Sequence, residues 1–253
     1  MLPHTLSAAG DLAALYRPLV ERGPGAAQPW VIGHLGQSLD GFIATRNGDS
    51  RYVTGEADLD HMHRLRALAD AVIVGAGTVA IDDPLLTTRR VPGRNATRAV
   101  LDPLARLAHL PRTARVLQGD DAPTLWLVDE RWCDQARGAG AAARVLAVPG
   151  LLGSDGMLDA HAAVHSLAQQ GLQVLFVEGG GVTVSRFLAQ GVLDRLHLTL
   201  APVLIGEGRR GVRLPASGTM ADCLRPGGRT VRRGEDVLWD FDLAPRHQVP
   251  DSA

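Results

Sequence analysis

The chain has 253 residues, 45% of them hydrophobic and 21% charged, with a formal net charge of −1. That length can bury a full core and that balance argues against disorder, while near-neutral charge advertises no nucleic-acid or membrane partner. All 26 Lys+Arg positions are arginine, so anion binding must come from locally placed guanidinium groups, although a GC-rich genome gives the same bias.

In chain order, residues 12–20 can form a short helix broken near Pro18, and the Gly/Pro-rich stretch 23–29 reads as a linker. Residues 1–29 are therefore an N-terminal extension, 30–243 one domain, and 244–253 a disordered tail. Residues 31–35 read as a strand. Residues 56–69 read as a helix, with Leu59, Met62, Leu65 and Leu68 forming its apolar stripe and Thr54 as N-cap. Short apolar strands follow at 71–74, 98–101, 125–128 and 145–148, with a helix between the last two. Helices at 158–170 and 182–190 flank a strand at 174–177 and are closed by Gly171 and Gly191. Strands at 196–204 and 237–241 lack an intervening helix. The alternation predicts an α/β sandwich whose largely parallel sheet has an antiparallel edge.

Three turns carry chemistry-bearing residues. Gly36-Gln37-Ser38-Leu39-Asp40-Gly41 follows the first strand and could let a ligand approach the backbone, but a plain strand-ending turn is the better reading. Gly75-Ala76-Gly77-Thr78 follows the strand 71–74 and offers backbone N–H groups to a phosphate or amide; Asp82-Asp83-Pro84 follows. Glu178-Gly179-Gly180-Gly181 joins a strand to a helix, the arrangement that holds a pyrophosphate, and Glu178 would face the crevice. Three successive glycines lose much backbone entropy on folding, which favours a ligand at that turn over a tight turn alone. His61 and His63 lie two apart on a helix, so their rings point to different faces; surface histidines are the better reading and no metal site is expected. Cys133 and Cys223 suggest neither a disulfide nor a metal ligand pair, and a cytoplasmic setting follows. Deaminase, P-loop and nucleophile-elbow motifs are lacking.

An ordered set of segments resembles a known family: Gln37 to Gly41, Tyr52 to Gly55, Leu65-Arg66-Ala67, Asp70 to Val79, Asp82-Asp83-Pro84, Leu86-Thr87 with Arg89, Val100 to Asp102, Val177 to Gly180, and Ala201-Pro202 with Leu204 to Gly206. Together they resemble the reductase half of the bacterial riboflavin-pathway deaminase/reductase, without its deaminase half. The resemblance implies a dihydrofolate-reductase-like three-layer sandwich and a homodimer. It implies NADPH as cofactor and 5-amino-6-(5-phosphoribosylamino)uracil as substrate, the ribosylamino group being reduced to ribitylamino.

By position, the resemblance implies cofactor contacts at Gly36, Tyr52, Thr78, Asp82, Gly180, Gly181, Val182, Thr183, Val184, Ser185 and Arg186. It implies substrate contacts at Ser50, Arg66, Leu86, Arg89 and Glu178, with both arginines on the phosphate. Asp82 and Glu178 are the candidates for orienting the reacting groups or supplying a proton. Arg106, Arg112 or Arg115 would read a ribose 2′-phosphate. Tyr52 replaces the family's usual tryptophan and Gln37 a smaller or apolar residue, differences that bear on substrate choice. A dihydrofolate or other pteridine reductase and a non-catalytic nucleotide-binding paralogue are the rival readings.

Overall fold

A computed structural model describes residues 8–21, 28–51, 53–110 and 114–243. Tyr52, Arg112, most of the expected linker and the expected tail lie outside the described residues. In chain order the elements are α1 (Ala8–Val20), β1 (Trp30–Ser38), β2 (Phe42–Thr45), α2 (Glu56–Leu68), β3 (Ala71–Gly75), α3 (Ala76–Asp82), β4 (Thr97–Leu101), α4 (Arg115–Gln118), β5 (Thr124–Asp129), α5 (Cys133–Gly138), β6 (Arg144–Val148), α6 (Ala160–Gln169), β7 (Val174–Val177), α7 (Gly181–Ala189), β8 (Arg195–Ala201), β9 (Gly208–Arg210), β10 (Gly227–Arg233) and β11 (Asp236–Asp242).

Nine strands form one sheet in the order β10-β11-β8-β1-β7-β3-β4-β5-β6. Every pairing from β8 to β6 is parallel, and β11 and β10 run antiparallel at the other edge. The central strands read as continuous apolar runs because both faces are covered. In β7, Val174 and Phe176 pack with Leu65 of α2 and Val79 of α3, whereas Leu175 and Val177 pack with Leu167 of α6 and Phe187 of α7. The result is the three-layer sandwich with an antiparallel edge that the resemblance implies. β2 and β9 pair separately as a two-stranded ribbon.

Several local expectations change. α1 runs through Pro18, which sits in its last turn. β10 escapes the periodicity reading because only Val231 and Arg233 of Gly-Gly-Arg-Thr-Val-Arg-Arg turn inward. α2 begins at Gly55, not Thr54, with no side-chain cap.

The larger correction concerns α2's buried face. The expected stripe of Leu59, Met62, Leu65 and Leu68 is buried fully only at Leu65, and its companions are Asp58, His61, His63 and Arg66. His61 and His63 are buried, not surface, histidines, although their rings do face different surroundings. Tyr16 Oη lies 2.6 Å from His61 Nδ1, His61 Nε2 lies 2.9 Å from His197 Nδ1, and His197 Nε2 faces Asp240 Oδ1 at 3.2 Å. Asp240 also pairs with Arg195 and Arg229. Beside this relay, Asp58 accepts from His34 Nε2 at 3.1 Å and from Thr199 Oγ1 at 2.6 Å. Hydrogen-bonded partners from β1, β8 and β11 are what make a polar helix face compatible with burial.

Candidate active site

The carboxyl ends of β3, β4 and β7 point the same way, and two helices start directly from them: α3 after Gly75 and α7 after Gly180. Between these ends and the β2–β9 ribbon lies a cleft of about 510 Å³. Its floor is Gly75 to Thr78 and Gly180 to Thr183. One wall is Leu101 to Leu104 with Arg106, another is Leu152 and Gly156 to Leu158, and a third carries Ile43, Ala44, Gly48 and Ser50. Two first turns with free N–H groups at one floor suit an anion.

Packing by itself accounts for the glycines at the β7–α7 turn. Gly179 has φ +98°, a left-handed backbone that favours glycine. A Cβ on Gly181 would lie 2.3 Å from the Gly211 carbonyl oxygen, so only glycine lets α7 approach the end of β9 so closely. The inference from glycine entropy to a ligand therefore does not stand; the floor's shape and charge carry that argument.

Charge on the walls is one-sided. Arg106, Arg209, Arg210 and Arg213 line the cleft, and among the described residues none of them is within ion-pair distance of a carboxylate. Arg210 lies 5.2 Å from the Phe42 ring centroid, a cation–π contact that orients it. Asp82 and Asp102 are the cleft's carboxyls. Burial raises the pKa of Asp82, opposed by the charge of Arg209. Burial likewise raises that of Asp102, opposed by bonds from the Leu107 and Arg106 amides and Trp126 Nε1.

Two residues before the floor residue Gly180, and outside the cleft's lining, Glu178 belongs to a buried ion pair. Arg66 donates through Nε to Glu178 Oε2 at 2.7 Å and through Nη2 to Glu178 Oε1 at 2.8 Å, a two-pronged bond. Its Nη1 donates to the Thr87 carbonyl. Both side chains are buried, so the pair must remain intact for either charge to be tolerated. Arg89 is the solvent-facing cation of this group, held by one bond from Nη1 to Thr87 Oγ1 at 2.7 Å. Its backbone N–H donates to His63 Nδ1 at 3.0 Å. Burial first, then Arg66 and Arg89, hold the His63 pKa down to about 4, so the ring stays a neutral acceptor. Leu86, with φ +56°, bends the chain sharply here, and its side chain is buried in the core.

The structure brings many expected residues together. Ser50, Thr78, Asp82, Gly180, Gly181, Val182 and Thr183 share the cleft, whereas Arg66, Arg89 and Glu178 share a hydrogen-bonded cluster around Thr87 that does not line it. Others lie elsewhere. Gly36 faces Thr54 and Asp58. Val184 is in the core, Ser185 accepts from the Arg213 amide, and Arg186 bonds Leu158 O and Asp155. Of the 2′-phosphate candidates, Arg106 lines the cleft, and Arg115 is paired with Asp83. Sequence reading missed Arg209, Arg210 and Arg213; three arginines in five residues were the available signal. Among the described residues no helix is long and apolar enough to cross a membrane.

Comparison with known proteins bears on this geometry. Residues 29–222 match the model of the RibD C-terminal domain family. A Methanothermobacter thermautotrophicus protein named 2,5-diamino-6-ribosylamino-4(3H)-pyrimidinone 5′-phosphate reductase is 35% identical over 222 residues, covering 85% of this chain and 99% of that protein. The riboflavin biosynthesis protein RibD of Aquifex aeolicus is 32% identical over 182 residues, covering 72% of this chain and 48% of that protein. The chain thus spans nearly all of the archaeal relative and about half of the bacterial one. Acinetobacter baumannii RibD superposes with a TM-score of 0.72 at 24% identity, covering 92% of this chain and 63% of that one, a likeness of fold.

Proposed function

The chain belongs to the RibD C-terminal domain family, and from that premise we propose that it is the NADPH-dependent reductase of a phosphoribosylamino-pyrimidine in riboflavin biosynthesis. The observation that carries the proposal is a cleft with two helix starts and, among the described residues, four arginines outside any ion pair, its floor beginning at Gly180, two residues after Glu178 of the buried Arg66–Glu178 pair.

A dinucleotide phosphate fits the chemistry of this cleft: anions suit the floor amides and wall guanidiniums, and flat rings suit the apolar walls. Bound there, NADPH supplies the hydride that reduces the opened sugar carbon of the substrate. The chain's residues orient the partners. Thr78 Oγ1 accepts from the Gly180 amide and so locks the two floor turns together at 3.0 Å. Arg89 takes the substrate phosphate, with Ser50 adding a hydrogen bond. Arg66, occupied by Glu178 and Thr87, fixes the carboxylate that meets the pyrimidine or sugar. Asp82 lines the cleft and holds a proton more readily than an ordinary aspartate, which supports a role in bonding an amide or supplying a proton. Homodimerisation and a cytoplasmic setting belong to the same proposal.

The substrate proposed first is 5-amino-6-(5-phosphoribosylamino)uracil. One observation favours the 2,5-diamino-pyrimidinone instead: the archaeal relative matched over almost its whole length is named for it. NADPH consumption with the two pyrimidine phosphates side by side tests both, with dihydrofolate as a third substrate. Turnover of either phosphate is expected; turnover of dihydrofolate alone, or NADPH binding with no turnover, would reject the proposal.

A further inference from the structure

Arg186 stands in the segment that the resemblance assigns to the cofactor, yet it does not line the cleft. It lies on α7, whose first residues Gly181 to Thr183 are cleft floor. From there Nε donates to the Leu158 carbonyl and Nη2 to Asp155 Oδ2, each at 2.7 Å. Both acceptors belong to the loop whose residues Leu152, Gly156, Met157 and Leu158 form one cleft wall.

The loop is a small hairpin. Leu152 bridges Leu158, the Gly153 amide donates to Met157 O at 2.8 Å, and Asp155 Oδ1 accepts from the Met157 amide at 2.9 Å. Its exposed segment, including Met157 at 50% exposure, has little apolar burial of its own. A wall of that kind opens easily unless something ties it down. Arg186 is half-buried where Asp155 is exposed, so the arginine is the fixed side of the clasp and the loop the held side. Gln190, one turn further along α7, also bonds this region: its Oε1 accepts from the Ala160 amide at 2.7 Å.

We propose that Arg186 is a positioning residue for the cofactor: its ion pair with Asp155 and bond to Leu158 hold the loop 152–158 as a wall of the cleft, registered on the helix that forms the floor. This rests on the reading that the cleft takes NADPH. Arg186 acts at a distance through the loop, and Asp155 shares its effect without touching the cofactor.

The test compares Arg186→Met, Asp155→Asn and the double variant in the full chain. The asparagine keeps the Oδ1 acceptor for Met157 and replaces the charged Oδ2 acceptor of Arg186 by an NH2 group, which cannot accept that bond. Direct NADPH titration by fluorescence is expected to show a three- to tenfold weaker Kd in each single variant, and no further loss in the double. The KM for the pyrimidine phosphate should stay unmoved while that for NADPH rises. Without cofactor, hydrogen exchange at the Gly153 amide should quicken in both single variants. If Arg186→Met weakens binding and Asp155→Asn does not, Arg186 contacts the cofactor itself and the clasp is overturned. Additive losses, or lowered melting temperature with an unchanged Kd, overturn it as well. Failure of the unaltered chain to bind NADPH would instead reject the cofactor reading.

Discussion

The polar layer beneath α2 and the cleft at the strand ends treat charge in opposite ways. Under α2 the carboxylates are surrounded by protein partners: Asp240 is ringed by Arg195, Arg229 and His197, and Asp58 by His34 and Thr199. In the cleft, Arg106, Arg209, Arg210 and Arg213 line the walls with no ion pair among the described residues. Burial without partners would be ruinous in the first place, and partners would defeat anion binding in the second. Charge satisfied from within thus marks a structural region, and cationic charge left open marks a ligand site.

The largest test of that contrast is Asp240→Ala. Asp240 is fully buried, and removing it strands two guanidiniums and a histidine, which should cost about 3–5 kcal/mol of stability. Urea unfolding measures it; a loss below about 1 kcal/mol would mean the layer is not held by its charges. Acid should act on the same layer. Tyr16, His61 and His197 line up toward Asp240, and donation along that line from the Tyr16 hydroxyl to His197 needs both rings neutral. Burial keeps the pKa of His61 well below the ordinary histidine value and lowers that of His197, and His63 is held at about 4. The unfolded chain therefore binds these protons first, near pH 6.5, and stability should fall as pH drops from about 6.5 toward 4. Asp58 and Asp240, at about 2 through their histidine and arginine partners, add a second loss as pH falls through that value. A denaturation midpoint unchanged between pH 7 and 4 would contradict the first stage.

On the cleft side the expected effects are on affinity. Arg106 is exposed and, among the described residues, outside any ion pair, so Arg106→Ala should leave folding intact and weaken NADPH by about 1.5–3 kcal/mol, with little change for NADH. Equal losses for the two cofactors would remove Arg106 from the 2′-phosphate.

The unequal legibility of the two regions has the same root. β3, β4, β5 and β7 were readable because both faces are apolar, and the helix ends at Gly171 and Gly191 because both glycines are left-handed, at φ +80° and +66°. The polar layer was not readable. A helix face bearing Asp58, His61 and Arg66 looks solvated until partners from distant strands arrive. Arg209 and Arg210 were equally hidden, because the antiparallel pairing of β2 with β9, which places them, leaves almost no periodic trace in Gly-Arg-Arg. The Arg66–Glu178 pair was half-legible: both residues were singled out, but not their mutual bond.

His63 lies where the two kinds of region meet, and it gives the smallest and sharpest test. Its neutral Nδ1 accepts the Arg89 amide, so a structurally satisfied ring sets the position of an exposed cation, the one proposed to take the substrate phosphate. His63→Ala removes one buried acceptor and should cost about 1 kcal/mol of stability while raising KM for the phosphorylated substrate severalfold. Asparagine places its Oδ1 near the position of Nδ1 and should restore both, whereas glutamine, with its acceptor one bond further out, should not. Steady-state kinetics on the three variants separates the alternatives. If asparagine restores stability and leaves KM raised, His63 belongs wholly to the paired region, and the boundary falls between His63 and Arg89.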